Sequence, residues 1–200
     1  MLPSQQLVAS IAMPTSETPQ AVLAVARPIS QSLDGAMRAV GVAAMVRSAA
    51  GVSRYWMAGY AMSDDQARAA MVQHLLTALP DTKPQLVVWS TNIDALKHVP
   101  AARANGGFRS GKNKKQPFAA YALFDPVEAA LRDGSWFLQT FGRGEEPADY
   151  DAALRLAERA LWVAKSRAIE FPSYRADHPD WHMLETGSSD TPATEHNERP

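Results

Sequence analysis

The sequence contains no cysteine. That excludes disulfide frameworks, thiolate nucleophiles and zinc sites built on Cys ligands, and it fits a reducing compartment, so a cytoplasmic location is expected. Charge of one sign is also lacking: 20 Lys and Arg face 21 Asp and Glu, a formal net charge of -1 at pH 7. The chain as a whole has no pull toward nucleic acid or an anionic membrane, so any such binding has to come from local clustering. Long apolar runs are missing too, none approaching the roughly 20 residues of a membrane span, and no membrane association is expected. Met1 to Gln20 holds no Lys or Arg and only one short apolar patch, Leu7 to Met13, which is not a secretory-signal pattern. Gly-rich phosphate loops, dinucleotide fingerprints and Ser/His/Asp constellations are absent.

What is present is 200 residues with 46% hydrophobic content, enough for one globular core plus tails. Residues 1–20 mix Pro, Ser, Thr and Gln and are expected to be disordered, while 172–200 are expected to form an extended or disordered tail. The folded domain is then 21–171. Within it, Ala21 to Ala26 reads as a buried strand, and Val42 to Val46 with Arg54 to Tyr60 as a hairpin turning at Gly51. Ser63 caps a helix whose first turn carries Asp64 and Asp65 and whose stripe is Ala67, Met71, Leu75 and Leu79, stopped by Pro80. Leu86 to Ser90 is a strand, Asp125-Pro126 opens a short helix ended by Asp133-Gly134, and Trp136 to Phe141 is a further strand. Tyr150 to Arg167 is a closing amphipathic helix with Ala153, Leu154, Ala157, Leu161 and Ala164 on its stripe. The order β-β-β-α-β-α-β-α is an α/β arrangement.

The most chemically suggestive stretch is basic. From Lys97 to Phe124 there are six cationic residues, Lys97, Arg103, Arg109, Lys112, Lys114 and Lys115, and no Asp or Glu, with Gly106, Gly107 and Gly111 for flexibility. Such a cluster releases condensed counterions on meeting phosphates, and Phe108 and Phe118 within it are candidates to stack on bases. Against that stands a plain solvated loop, the commoner outcome for an isolated basic run. Trp56, Trp89, Trp136 and Trp162 are expected in the core. His74 reads as a boundary residue, and His98, His178 and His182 lack metal-ligand spacing with a third partner.

Taken in order, G-V-A-A-M-V (Gly41 to Val46), A-G-Y (Ala58 to Tyr60), S-D-D-Q-A-R (Ser63 to Arg68), V-V-W-S-T-N (Val87 to Asn92), G-G-F-R-S-G-K-N-K-K (Gly106 to Lys115), W-F-L-Q-T-F-G-R-G (Trp136 to Gly144) and L-R-L-A-E-R-A (Leu154 to Ala160) resemble bacterial-type ribonuclease H across nearly the whole folded unit. The resemblance implies a ribonuclease H-like five-stranded mixed sheet, a three-strand antiparallel meander plus parallel strands, flanked by helices. It also implies cleavage of the RNA strand of an RNA/DNA hybrid by two divalent metals held by four carboxylates. Here the helix glutamate falls at Arg68, the strand-end aspartate at Asn92, the last-helix aspartate at Leu154 and the loop histidine near Arg143. The first aspartate falls at Arg27 or Pro28 by strand position, or at Asp34, which is followed by Gly35. An amide is a poor ligand for a hard cation and a guanidinium repels one.

The expectation is therefore a non-catalytic domain that binds nucleic acid, an RNA/DNA hybrid or structured RNA, or serves as an assembly component, with no cofactor. Binding is expected through Arg103, Phe108, Arg109, Lys112, Lys114 and Lys115 on the basic protrusion, with Asn92 and Arg143 on the substrate face. Two alternatives remain. Substitute acids, Asp34, Asp64 or Asp65, Asp94 and Asp151, would make a rearranged nuclease site needing Mg2+ or Mn2+. Otherwise the old substrate face would dock a protein partner.

Overall fold

Alternate residues of the run Ala21 to Ala26 serve two different cores, and this is why a strand can be so rich in alanine. The structure is a computed structural model that describes residues 18–28, 38–61, 63–79, 85–108, 118, 121–166 and, as backbone alone, 182–188. Strands β1 (Gln20–Ala26), β2 (Arg38–Ser48) and β3 (Gly51–Ala61) form an antiparallel meander in which Gly41 lies opposite both Ala26 and Ala58. Gly51 takes φ 120° as the chain enters β3, a conformation that favours a residue without Cβ. Helix α1 (Asp64–Ala78) follows, capped by the Ser63 hydroxyl, which accepts from the Gln66 backbone N–H at 3.3 Å.

Strand β4 (Leu86–Ser90) lies parallel to β1, and β5 (Trp136–Thr140) parallel to β4. The spatial order β5-β4-β1-β2-β3 is the five-stranded mixed sheet expected from the sequence. A further strand, β6 (His182–Ser188), pairs antiparallel with β3 and extends the sheet to six. It lies in the segment read above as an extended or disordered tail. Between β4 and β5 come a 3-10 turn (Asp94–His98), α2 (Val99–Ala104) and α3 (Tyr121–Asp133), and α4 (Tyr150–Ser166) follows β5. Among the described residues no helix is long and apolar enough to cross a membrane.

One sheet face carries Leu23, Val40, Val42 and Val46 against Met71 and Leu75 of α1 and Phe124 and Val127 of α3. On the other, Ala24, Ala26, Ala39, Ala43 and Ala58 lie under Ala153, Ala157, Ala160 and Ala164 of α4. Small residues on both sides let the helix axis come close to the sheet, and dense packing leaves little room for anything larger.

Three local expectations need correction. Helix α3 begins at Tyr121, with the Tyr121 N–H bonded to the Phe118 carbonyl at 3.0 Å, and Pro126 sits inside it. Proline there forgoes a backbone bond and its ring crowds the preceding turn, while the consecutive Leu123 and Phe124 before it are buried in the core. Phe118 does not face a ligand: it is buried, stacked on Phe124 with centroids 5.4 Å apart. Trp162 is not core, being 67% exposed on the outer side of α4, while Trp56 and Trp136 are buried and Trp89 is half-buried.

His74 is half-buried, edge-on to Tyr55 at 5.9 Å, with its buried Nε2 unpartnered among the described residues. Burial holds its imidazole below the ordinary value of 6.5. The unfolded chain then takes up a proton before the folded one does, so this group's contribution to stability is present above about pH 6.5 and is lost as pH falls through the lower folded value. Urea unfolding at pH 7 and pH 5.5 is expected to show a smaller loss for His74→Leu than for the parent.

Candidate nucleic-acid interface at the strand ends

The C-terminal ends of β1 and β4 and the first turn of α1 meet at one edge of the sheet. Asp64 in that turn takes an ion pair from Arg27, just past β1, at 3.5 Å and a second from Arg38, at the start of β2, at 3.4 Å. Arg38 is nine-tenths buried, and its Nε has no partner among the described residues, so its charge depends on Asp64. Asp65 pairs with Arg68 one helical turn on at 3.1 Å, while its second oxygen accepts the Ala95 N–H at 3.0 Å and ties α1 to the turn after β4. Asn92 donates its amide to Asp94 at 2.8 Å, and Lys97 approaches the same Asp94 oxygen at 3.4 Å. Four cations thus face three carboxylates, and each carboxylate already has a cationic partner.

The last helix reaches the same region through Tyr150, which packs edge-on to Phe141 at 5.2 Å. Burial pushes the Tyr150 phenol up, and the nearby Arg68 charge opposes the shift. Asp151 is exposed and Leu154 half-buried on that helix. Arg143 is exposed in a turn where Glu145 accepts the Gly142 N–H at 3.3 Å and Glu146 accepts the Gly144 N–H at 2.9 Å. The Gly144 N–H, followed by Glu146's own N–H and the Arg143 charge, holds the Glu146 carboxyl below its usual range. At the end of β4, Ser90 is fully buried with its hydroxyl unpartnered among the described residues.

The basic segment divides. Lys97 and Arg103 lie on the 3-10 turn and α2, and Arg103 is bound at 2.7 Å to Asp125 and 2.5 Å to Glu128 of α3. Those two carboxylates drive its guanidinium pKa up, so Arg103 docks one helix on another. Phe108 is 42% exposed, at the point where the chain enters the basic run. Asp34, Arg109, Lys112, Lys114 and Lys115 lie outside the described residues.

A two-metal centre needs several unpaired carboxylates converging on one volume. Asp64 and Asp65 instead point at guanidinium groups, the strand-end position is an amide, and no group of three acidic or histidine side chains able to hold a metal occurs among the described residues. The described side chains do not fit such a centre.

No protein-family model matches the sequence, and no curated protein is detectably similar to it. Solved structures are similar in shape. The foamy viral protease-reverse transcriptase in complex with an RNA/DNA hybrid gives a TM-score of 0.52 at 13% identity, over 81% of this chain and 23% of that one. LC9-RNase H1, a type 1 ribonuclease H with the type 2 active-site motif, gives 0.53 at 14% identity, over 76% of this chain and 75% of that one. The fold is that of ribonuclease H. The native prototype foamy virus protease-reverse transcriptase gives 0.51 at 10% identity over 76% of this chain, which spans only 22% of it. At these identities the likeness extends to the ribonuclease H fold alone.

Sequence reasoning placed Arg68, Asn92 and Asp94 on this edge of the ribonuclease H fold. It missed Arg38 as Asp64's buried counter-ion. The available signal was a cation opening the otherwise apolar strand R-A-V-G-V-A-A-M-V.

Proposed function

We propose that this domain binds nucleic acid without cutting it. The observation that carries the reading is the pairing of Asp64 with Arg27 and Arg38 and of Asp65 with Arg68. Cations occupy the neighbourhood in which a hydrolytic centre would gather acids, and guanidinium groups are suited to phosphate contacts. The basic run from Arg109 to Lys115 supplies the main electrostatic grip, and an RNA/DNA hybrid, the ligand of the foamy virus complex of the same fold, is the first ligand to test. Asn92, Arg143 and Phe108 are assigned further contacts to the ligand on this reading, while Arg103 serves the scaffold.

The test is the salt dependence of binding to a labelled hybrid duplex. Replacing Lys112, Lys114 and Lys115 together by Ala removes up to three phosphate contacts, so the slope of log affinity against log salt flattens by about two to three units. The melting transition stays where it is. If the parent binds no hybrid at low salt, or the triple variant binds with parental affinity and slope, the edge serves instead as a docking face for a protein partner.

A further inference from the structure

Across the sheet from that edge, the outer side of α4 holds a second cationic cluster that the proposed function does not use. Arg155, Arg159 and Trp162 recur at i, i+4 and i+7, the spacing that stacks side chains along one helix face. Arg54 of β3 joins them from the sheet. The three arginines, with Met45, Ala152 and Leu156, line an open hollow of about 280 Å³ between the helix and β2–β3.

Bringing three guanidinium groups to one hollow is unfavourable by itself, since like charges one helical turn apart repel. Among the described side chains no acid closes an ion pair on the three: Asp149 is taken by Arg47 at 2.9 Å, and Asp151 and Glu158 pair with none of them. Arg159 is held over the Trp56 ring, 5.4 Å from its centroid, so one guanidinium is fixed in advance. Beyond the hollow on the same helix, three residues after Arg159, Trp162 is the most exposed large apolar side chain among the described residues. The hollow is smaller than the ~300–1,000 Å³ of pockets that enclose a whole small-molecule ligand. It suits one unit of a longer chain that continues past the rim. Fixed positive charge beside an exposed ring is the pairing that grips single strands, phosphates on the cations and a base on the ring.

We propose that this hollow is a second nucleic-acid site, selective for single strands. Arg54, Arg155 and Arg159 take phosphates, and Trp162 stacks on a base. The site goes beyond the proposed function, since it lies on the opposite face of the sheet and needs none of the basic run.

The test uses a fluorescent 15-mer of oligo(dT), which cannot form a duplex, and the full-length Lys112→Ala/Lys114→Ala/Lys115→Ala protein, so that the first site is weakened beforehand. The background protein binds the oligonucleotide at low salt. Adding Arg155→Ala and Arg159→Ala lowers affinity at least tenfold and flattens the log-log salt slope by about 1.4 units, from roughly 0.7 per single-strand phosphate contact. Trp162→Ala also lowers affinity about tenfold but leaves the slope unchanged, and Trp162→Phe restores binding; circular dichroism verifies that each variant is folded. If the lysine-substituted background binds no oligo(dT), or the added arginine changes leave affinity and slope unaltered, the second site is overturned while the hybrid-binding reading stands. Conversely, loss of hybrid binding in the parent with oligo(dT) binding intact removes the first site and leaves this one. Displacement of the oligonucleotide by polyglutamate at equal charge, with Trp162→Ala indistinguishable from its background, would assign the hollow to acidic peptides and overturn the proposal.

Discussion

Gly41→Ala is expected to destabilise the fold by about 3 kcal/mol or more, the upper end of the range for overpacking. An added Cβ would lie 1.9 Å from the Ala157 carbonyl oxygen and 2.4 Å from the Leu161 nitrogen. Both are backbone atoms of α4, so no side chain can rotate away. The helix has to lift from the alanine-lined sheet face, separating Ala26, Ala39 and Ala43 from their partners. Urea unfolding of the parent and variant measures the loss. A variant within 1 kcal/mol of the parent would mean that α4 does not seat on β2 as described.

The second large effect concerns Asp64, and its sign is the informative part. A carboxylate kept to hold a metal is repelled by its neighbours when metal is absent, so removing it stabilises the metal-free protein. A carboxylate serving as counter-ion to a buried arginine behaves in the opposite way. Asp64→Ala leaves Arg38 buried with Asp64's compensation gone, and the expected cost in metal-free buffer is about 2 to 4 kcal/mol, somewhat below that of a fully buried pair. Asp64→Ala raising the melting temperature in EDTA would reverse the assignment.

Much of the architecture was legible because each element signals itself locally. Ser63 followed by two aspartates and an apolar stripe marks α1, and apolar runs parted by a glycine mark the β2–β3 hairpin. The start of α3 was obscured because Asp125-Pro126 is a strong local start signal. The structural start depends on Phe118 folding back on Phe124, a contact between side chains. Trp162 misled for a related reason: ring size suggests core, but its position on α4 follows from the alanine stripe, which claims the inner face. In the site, Arg68 and Asn92 could be placed from strand and helix order. The closure of Arg38 on Asp64 could not, since it needs the β2–β3 register, with Arg38 opposite Ala61, to bring together residues 26 positions apart.

On the proposed reading, cations occupy the strand-end acids and the domain holds nucleic acid without hydrolysing it. The most direct test of that reading is incubation of purified protein with a labelled RNA/DNA hybrid, separately in Mg2+ and Mn2+, at a concentration where binding is saturated. The predicted result is bound, full-length hybrid with no cleavage above background. Metal-dependent cleavage that is lost on Asp34→Asn or Asp94→Asn would contradict the account and assign a rearranged acidic site to this fold.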